Sequence, residues 1–291
     1  MSATELGGRE LAAALQQELI SAVSALGFTP RLDVFAPEGD EASAHYGRMI
    51  VRLAAKIGVN VKLVAFDPAH GVDSLREQLR TSASDGAHGI QVHKPLPNHC
   101  TLSELLEPLA GLDVEGVGPA HVGRLLAQRA SFVPCTALAV WRLLAWHQVP
   151  LDGTGALVLG RSDIVGSPLA ALLQHSGATV TVAHRRTKDL ASLVAQAELI
   201  VSAAGQRDLV DPEWIRPDAV LADVGHHVLE DGSVRGDFSA AHHVRCRAFT
   251  PVPGGVGPVT TYCLLEAVVR AAAIQSGRAC SVRDPLRRLR S

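Results

Sequence analysis

The sequence predicts an α/β protein: an N-terminal α/β domain followed by a domain built on a doubly wound parallel sheet. Three observations carry this expectation. Short apolar runs alternate with helix-period segments along the chain, as βαβ units do. The runs of the second half are continuously apolar, the mark of parallel strands buried on both faces. At 291 residues the chain is about two domains long on the rough scale of ~100–200 residues per domain.

Residues 8–27 (GRELAAALQQELISAVSALG) repeat apolar positions at helical spacing and stop on Gly27, predicting a first helix. RLDVFA reads as a strand. PEGDEASAHYGRMIVRLAAKIGV reads as a loop, a cap at or near Ser43, and a helix running to Gly58, with a second strand in VNVKLVAF. VDSLREQLRTSAS and GAHGIQVHKPLP repeat the theme as helix, strand and turn. These elements place the first domain at residues 1–140. Over 141–258 the alternation restarts, with strands at 155–160, 178–183, 198–205 and 219–225 and helices at 164–177 and 190–197. A late apolar helix at 259–277 is expected to pack back on the first domain.

Composition excludes several classes of protein. Apolar residues make up 47% and charged residues 19%, and 27 basic against 29 acidic side chains give −2, so neither a disordered nor a polyanion-binding chain fits. No stretch approaches the ~18–20 uninterrupted apolar residues of a membrane span. Met1–Glu10 carries acidic residues and no apolar leader segment. The expectation is a cytoplasmic protein with no nucleic-acid or membrane partner, and the basic tail RDPLRRLRS reads as a solvated end. The five cysteines are odd in number and scattered without a C-x-x-C pair. The adjacent pairs His226-His227 and His242-His243 lack the spacing of a metal face, so no metal is expected.

The second domain has the features of a dinucleotide site. A helix that opens just after a buried strand offers free N–H groups to a pyrophosphate, provided that the turn lets its backbone approach. Gly160 occupies that turn, in Gly160-Arg161-Ser162-Asp163-Ile164-Val165-Gly166, which lacks the middle glycine of the usual G-x-G-x-x-G. The next strand ends in His184-Arg185-Arg186-Thr187-Lys188, where a site for NAD would carry an acidic residue. Guanidinium groups there suit a 2′-phosphate, so a Rossmann-type domain that prefers NADP is expected.

Residues 250–260 read Thr-Pro-Val-Pro-Gly-Gly-Val-Gly-Pro-Val-Thr, and this run resembles a signature of the bifunctional methylenetetrahydrofolate dehydrogenase/cyclohydrolase (FolD-type) family. Ser43 with Tyr46, Pro95-Leu96-Pro97, Asp113-Val114-Glu115-Gly116 and Gly160-Arg161-Ser162 with Val165-Gly166 match in the same order, over about residues 10–275. The resemblance implies a folate-binding first domain, an NADP-binding second domain, a cleft between them, and a homodimer formed through the second domain. It implies hydride transfer from 5,10-methylenetetrahydrofolate to NADP+ and hydrolysis of the methenyl product to 10-formyltetrahydrofolate. By resemblance Tyr46, Glu115, Val252, Pro253 and Gly254 meet the folate. Gly160, Arg161 and Ser162 hold the cofactor phosphates, and Arg185 or Arg186 holds the 2′-phosphate. Gly257 and Thr260 line the nicotinamide side, with His226 where the family usually has isoleucine.

Four positions depart from the family pattern. The family has a lysine four residues after the tyrosine, on the same helix face, and here Tyr46 is followed by Ile50. The family's glutamine ahead of L-P-L-P is His93, followed by Lys94 in place of leucine. Strand alternation puts Gln91 on the face of His93. The family's D-V-D-G carries Glu115 in place of its second aspartate. Hydride loss needs no proton transfer, whereas hydrolysis needs a positioned acid/base. The sequence therefore predicts that dehydrogenation outlasts hydrolysis, with His93 or Lys94 as a relocated acid/base. The alternatives are a diverged paralogue acting on another one-carbon substrate, or a catalytically silent protein that binds NADP or folate.

Overall fold

The computed structural model describes residues 3–130, 132–282 and Leu286, so the expectation for the basic tail lies, Leu286 apart, outside the described residues. In chain order the first elements are β1 (Thr4–Glu5), α1 (Arg9–Leu26), β2 (Arg31–Pro37), α2 (Glu41–Ile57), β3 (Asn60–Phe66), α3 (Gly71–Ser84) and β4 (Gly89–Val92). Then come α4 (Leu102–Leu106), α5 (Pro119–Leu126), α6 (Cys135–Trp146), β5 (Gly155–Leu159), α7 (Gly166–His175), β6 (Thr179–Ala183), α8 (Leu190–Gln196) and β7 (Leu199–Ser202). The last are β8 (Val220–Asp223), β9 (His227–Val228), β10 (Val234–Arg235), α9 (Ala240–His243), β11 (Ala248–Phe249) and α10 (Val256–Gln275).

Two compact units result, Ala13–Val133 with Thr261–Ser291 and Met1–Ala12 with Pro134–Thr260, so the divisions fall inside α1 and α10. This shifts the expected boundary. The first dozen residues and residues 134–140 cluster with the second half of the chain. A two-residue strand has no periodicity to read, and β1 exists only because Thr4 and Glu5 pair in parallel with Ala248 and Phe249. The Gly8 N–H donates to the Gly254 carbonyl at 2.8 Å, and the His147 ring bonds the Gly7 carbonyl at 2.9 Å, tying the same segment down.

In the 13–133 unit a parallel sheet runs in the order β3-β2-β4. Its helices present one apolar stripe each: Leu15, Leu19, Ala22, Val23 and Leu26 of α1 are buried, as are Ile50, Ala54 and Ile57 of α2. Burying a side chain such as Leu19 contributes roughly 1.5–3 kcal/mol, which sets the face each helix turns inward. The cap of α2, expected at or near Ser43, lies three residues earlier. Asp40 is the cap, accepting the Ser43 N–H at 2.7 Å, and this frees the Ser43 hydroxyl to donate to the Lys94 carbonyl at 3.0 Å. At the other end Gly58, at φ 80°, closes the helix in the left-handed conformation. The central strand β2 carries a fully buried charge, Asp33, held by both arms of the Arg31 guanidinium and by the Ser82 hydroxyl.

In the 134–260 unit six parallel strands run in the order β1-β11-β8-β7-β5-β6. β7 and β8 are buried throughout and β5 in all but its first residue, whereas β6 lies at the edge and is largely exposed. The chain leaves β5 for β6 on one side and returns to β7 on the other, so the winding reverses between β5 and β7. Ligands bind at such a reversal, outside the carboxyl ends of the strands. Among the described residues α10 is the one helix long and apolar enough to cross a membrane, yet 67% of that stretch is buried within the protein. It begins at Val256, three residues before the expected start.

Removing the Asp33 carboxylate leaves the Arg31 guanidinium, whose side chain is only 20% exposed, without its fork partner. Asp33→Ala is expected to cost about 2–4 kcal/mol of stability, read as a lower urea midpoint at unchanged slope.

Candidate active site

In the 13–133 unit the ends of β4 and α2 bring four expected or noted residues into one patch. Tyr46, partly exposed on α2, faces His93 with ring centroids 5.3 Å apart. His93 follows β4 and is 8% exposed. Its Nε2 lies 3.4 Å from Gln91 Oε1, and Gln91 Nε2 donates to Glu115 Oε1 at 3.2 Å. Strand alternation predicted that Gln91 and His93 share a face, but nothing in the sequence placed Glu115 at the far end of the same chain of bonds. Ile50 sits one turn beyond Tyr46 and is fully buried. Lys94 turns its side chain to solvent, and its peptide bond to Pro95 is cis.

The electrostatics follow from this packing. Burial pushes the His93 ring below its ordinary value, against the Ser43 carbonyl and the Asp40 charge, which favour its protonated form. His93 Nδ1 is buried and has no partner within hydrogen-bonding geometry. The Glu115 carboxyl is pushed up to about 7, first by burial; the Gln91 bond opposes this, the Asp113 charge adds to it, and the Lys94 charge opposes it. Asp113, fully buried, accepts the N–H groups of Gly116, Val117 and Gly118 at 2.9, 3.3 and 2.7 Å. It shapes the loop that presents Glu115. The sequence signal for that role is an aspartate followed closely by two glycines, the pattern of a side chain that turns its own backbone.

In the 134–260 unit the turn after β5 is cut close. Gly160 has φ 113°, and a Cβ there would run into the Ala203 carbonyl at the end of β7. Gly166 likewise leaves room only for the Gly160 carbonyl. This is the backbone approach that a pyrophosphate cradle needs. The expected start of α7 at 164 moves to Gly166, because Ser162 Oγ accepts the Val165 and Gly166 N–H groups at 3.2 and 3.4 Å and so occupies the first turn. Arg161 is exposed beside it. After β6 the cationic segment is a tight turn. Thr187 N–H donates to the His184 carbonyl at 2.7 Å, the Arg186 N–H donates to His184 Nδ1 at 3.1 Å, and the side chains of Arg185 and Arg186 stand exposed.

After β8 the buried Asp223 accepts the N–H groups of Gly225, Asp237 and Phe238 and so fixes the loop that carries the exposed His226. Val252-Pro253 is a second cis peptide bond, and the Gly255 N–H closes that turn on the Pro251 carbonyl at 2.8 Å. Gly257 and Thr260 lie on the first turns of α10, where the Thr260 hydroxyl donates to the Val256 carbonyl.

Two family models match the chain: the tetrahydrofolate dehydrogenase/cyclohydrolase catalytic domain over residues 6–111, and the NAD(P)-binding domain of the same family over residues 134–276. The chain belongs to the tetrahydrofolate dehydrogenase/cyclohydrolase family. The bifunctional protein FolD of Nocardia farcinica is 40% identical over 95% of this chain and 100% of that one. The crystal structure of the bifunctional FolD enzyme of Campylobacter jejuni superposes with a TM-score of 0.89 at 34% identity, covering 94% of this chain and 100% of that one. The Trypanosoma brucei FolD, solved with NADP cofactor and inhibitor, gives 0.88 at 34% identity, covering 96% and 100%.

These comparisons correct one expectation. Relatives that align over nearly the whole chain are bifunctional, and both family models name the cyclohydrolase, so the anticipated weakness in hydrolysis is not borne out. Beside Tyr46 the chain carries an imidazole, an amide and a carboxyl joined in series.

A carboxyl raised to about 7 has a stability signature. The folded protein keeps a proton on Glu115 that the unfolded chain releases near its ordinary value of 4.5, so this group's contribution is full below 4.5 and is lost as pH rises through about 7. Glu115→Gln abolishes that loss. Relative to wild type, the variant is expected to gain roughly 1–3 kcal/mol between pH 5 and pH 8 in urea titrations. An unchanged difference at the two pH values would contradict the assignment.

Proposed function

We propose that the protein oxidises 5,10-methylenetetrahydrofolate to 5,10-methenyltetrahydrofolate with NADP+ and hydrolyses the product to 10-formyltetrahydrofolate, in one-carbon metabolism. The observation that carries this reading is the match to both domains of a single dehydrogenase/cyclohydrolase family. The glycine-cut turn at Gly160 and the cationic turn at 184–188 fit a phosphorylated dinucleotide. In this reading Gly160, Arg161 and Ser162 meet the pyrophosphate and Arg185 or Arg186 meets the 2′-phosphate by a charge-assisted fork. His226, Gly257 and Thr260 line the nicotinamide side. Bound NADP+ supplies the hydride acceptor.

Tyr46 offers its ring to the pterin, Glu115 accepts from the pterin's N–H groups, and Val252, Pro253 and Gly254 form a rigid edge against the folate. Removal of hydride from the methylene carbon requires only that these groups hold the donor in place. Hydrolysis requires in addition that a proton leave water and another reach the ring nitrogen. A cytoplasmic location belongs to the same reading, in which α10 is a buried helix of the fold. So does a homodimer through the 134–260 unit, supported by the exposed edge strand β6, where Val182 is 38% exposed.

Mixing protein, methylenetetrahydrofolate and NADP+ is expected to raise absorbance at 340 nm, with NAD+ markedly poorer. Replacing Arg185 and Arg186 together by alanine is expected to raise KM for NADP+ at least ~10-fold, with little change for NAD+, since each lost charged hydrogen bond is worth about 1.5–3 kcal/mol. Equal effects on the two cofactors would remove these residues from 2′-phosphate recognition, and no absorbance change with either would overturn the function.

A further inference from the structure

We propose that Asp237 and His227 are positioning residues for the dinucleotide: together with Ser202 they tie the wall of the Gly160 turn to the hairpin that carries His226, and so set the nicotinamide end of the site relative to its phosphate end. The inference rests on the cofactor reading of the 134–260 unit and adds to it two residues that meet no part of the cofactor. The hairpin β9–β10 stands apart from the six-stranded sheet, and a two-stranded ribbon is marginal by itself in water. Asp237, 2% exposed, follows β10, and its two carboxylate oxygens take different partners. Oδ1 accepts from His227 Nε2 at 2.7 Å, at the start of β9, and Oδ2 accepts from Ser202 Oγ at 2.6 Å, on the last residue of β7. The next residue is Ala203, whose carbonyl is the atom that a Cβ at Gly160 would strike. One carboxylate thus joins the strand end behind the phosphate turn to the loop expected at the nicotinamide.

The packing around this carboxylate leaves little slack. A Cβ at Gly225 would run into Asp237, and one at Gly236 would run into Asp223. The Val224 N–H donates to the Ser202 carbonyl at 2.9 Å, and the Asp208 N–H donates to the Asp237 carbonyl at 2.9 Å. A carboxylate only accepts, so Nε2 of His227 carries the proton of its bond and the Ser202 hydroxyl turns its hydrogen to Asp237. Hydrogen bonds to an ionised group are about twice as strong as neutral ones, and a buried carboxylate that loses a donor bears the cost in full. Neighbours in extended chain turn to opposite sides. Holding His227 inward on Asp237 therefore presents His226 outward, where it is exposed.

The two ends of the dinucleotide site are held by separate sets of bonds. The turn after β6 is closed by His184 and Thr187, and the turn after β5 by Ser162, none of which touches the hairpin. Loss of the imidazole at position 227 frees the hairpin and leaves those turns as they are. The damage is then confined to ligands that reach the nicotinamide end, which a general loss of structure would not reproduce.

The test is calorimetric titration of the full chain with NADPH and with adenosine 2′,5′-bisphosphate, which carries the 2′-phosphate but no nicotinamide. In His227→Leu the Kd for NADPH is expected to rise about 10-fold while that for the bisphosphate stays within about 2-fold. His227→Gln, which returns an amide N–H near the place of Nε2, is expected to recover most of that loss. Asp237→Asn keeps the shape and removes the charge, and is expected to weaken NADPH at least ~3-fold. Unchanged NADPH affinity in His227→Leu, or in Asp237→Asn should the leucine variant not fold, overturns the positioning role. So does an equal loss for both ligands, or a glutamine variant no better than leucine; each of these leaves the cofactor reading standing. A wild type that binds neither ligand overturns the cofactor reading and the positioning role together.

Discussion

In each unit a buried carboxylate that collects backbone N–H groups holds a loop on which the candidate site residues of that unit depend. Asp113 accepts the N–H groups of Gly116, Val117 and Gly118, and Asp223 those of Gly225 and of Asp237 and Phe238, 14 and 15 residues on. Burial alone would drive both carboxyls up, and the donated N–H groups oppose that. Such a carboxylate does for an irregular loop what a ladder does for a strand: it satisfies polar groups that packing has removed from water. The loops can then run close to the ends of parallel strands, where helix termini and free N–H groups lie.

The same economy governs the turn after β5. Gly160 and Gly166 let one backbone pass against another, and Ser162 takes up the two N–H groups that the late start of α7 leaves over. The usual middle glycine of a dinucleotide turn is absent, and a serine that caps the helix from inside the turn stands near its place. The cationic turn that follows β6 is rigid for a related reason: His184 and Thr187 bond each other's backbone, so that Arg185 and Arg186 project from a fixed base.

Ile50 fills a fully buried position on α2, where an ammonium group would be a buried charge without a partner. The polar groups beside Tyr46 are an imidazole, an amide and a carboxyl in series, those of His93, Gln91 and Glu115. Glu115 is one methylene longer than the aspartate of the family pattern, and its oxygen ends within 3.2 Å of the Gln91 amide. Gln91, His93 and Glu115 make sense as one hydrogen-bonded unit.

The sequence by itself determined the α/β class, the strands with continuous apolar runs, the helices with single stripes, and the family, because each of these is written in local periodicity or in a contiguous motif. It also gave the glycine turn and the cationic turn of the cofactor half, since both are short stretches between recognisable elements. Tertiary structure decided what depends on residues far apart in the chain. The allegiance of the first dozen residues rests on pairing between Thr4–Glu5 and Ala248–Phe249, and two-residue strands carry no pattern. Asp40 caps α2 and leaves the Ser43 hydroxyl to donate to the Lys94 carbonyl, 51 residues away. The joining of Gln91 to Glu115 across 24 residues needed the loop that Asp113 folds. Periodicity reports which face a side chain is on; only the packed chain fixes which other side chain it meets.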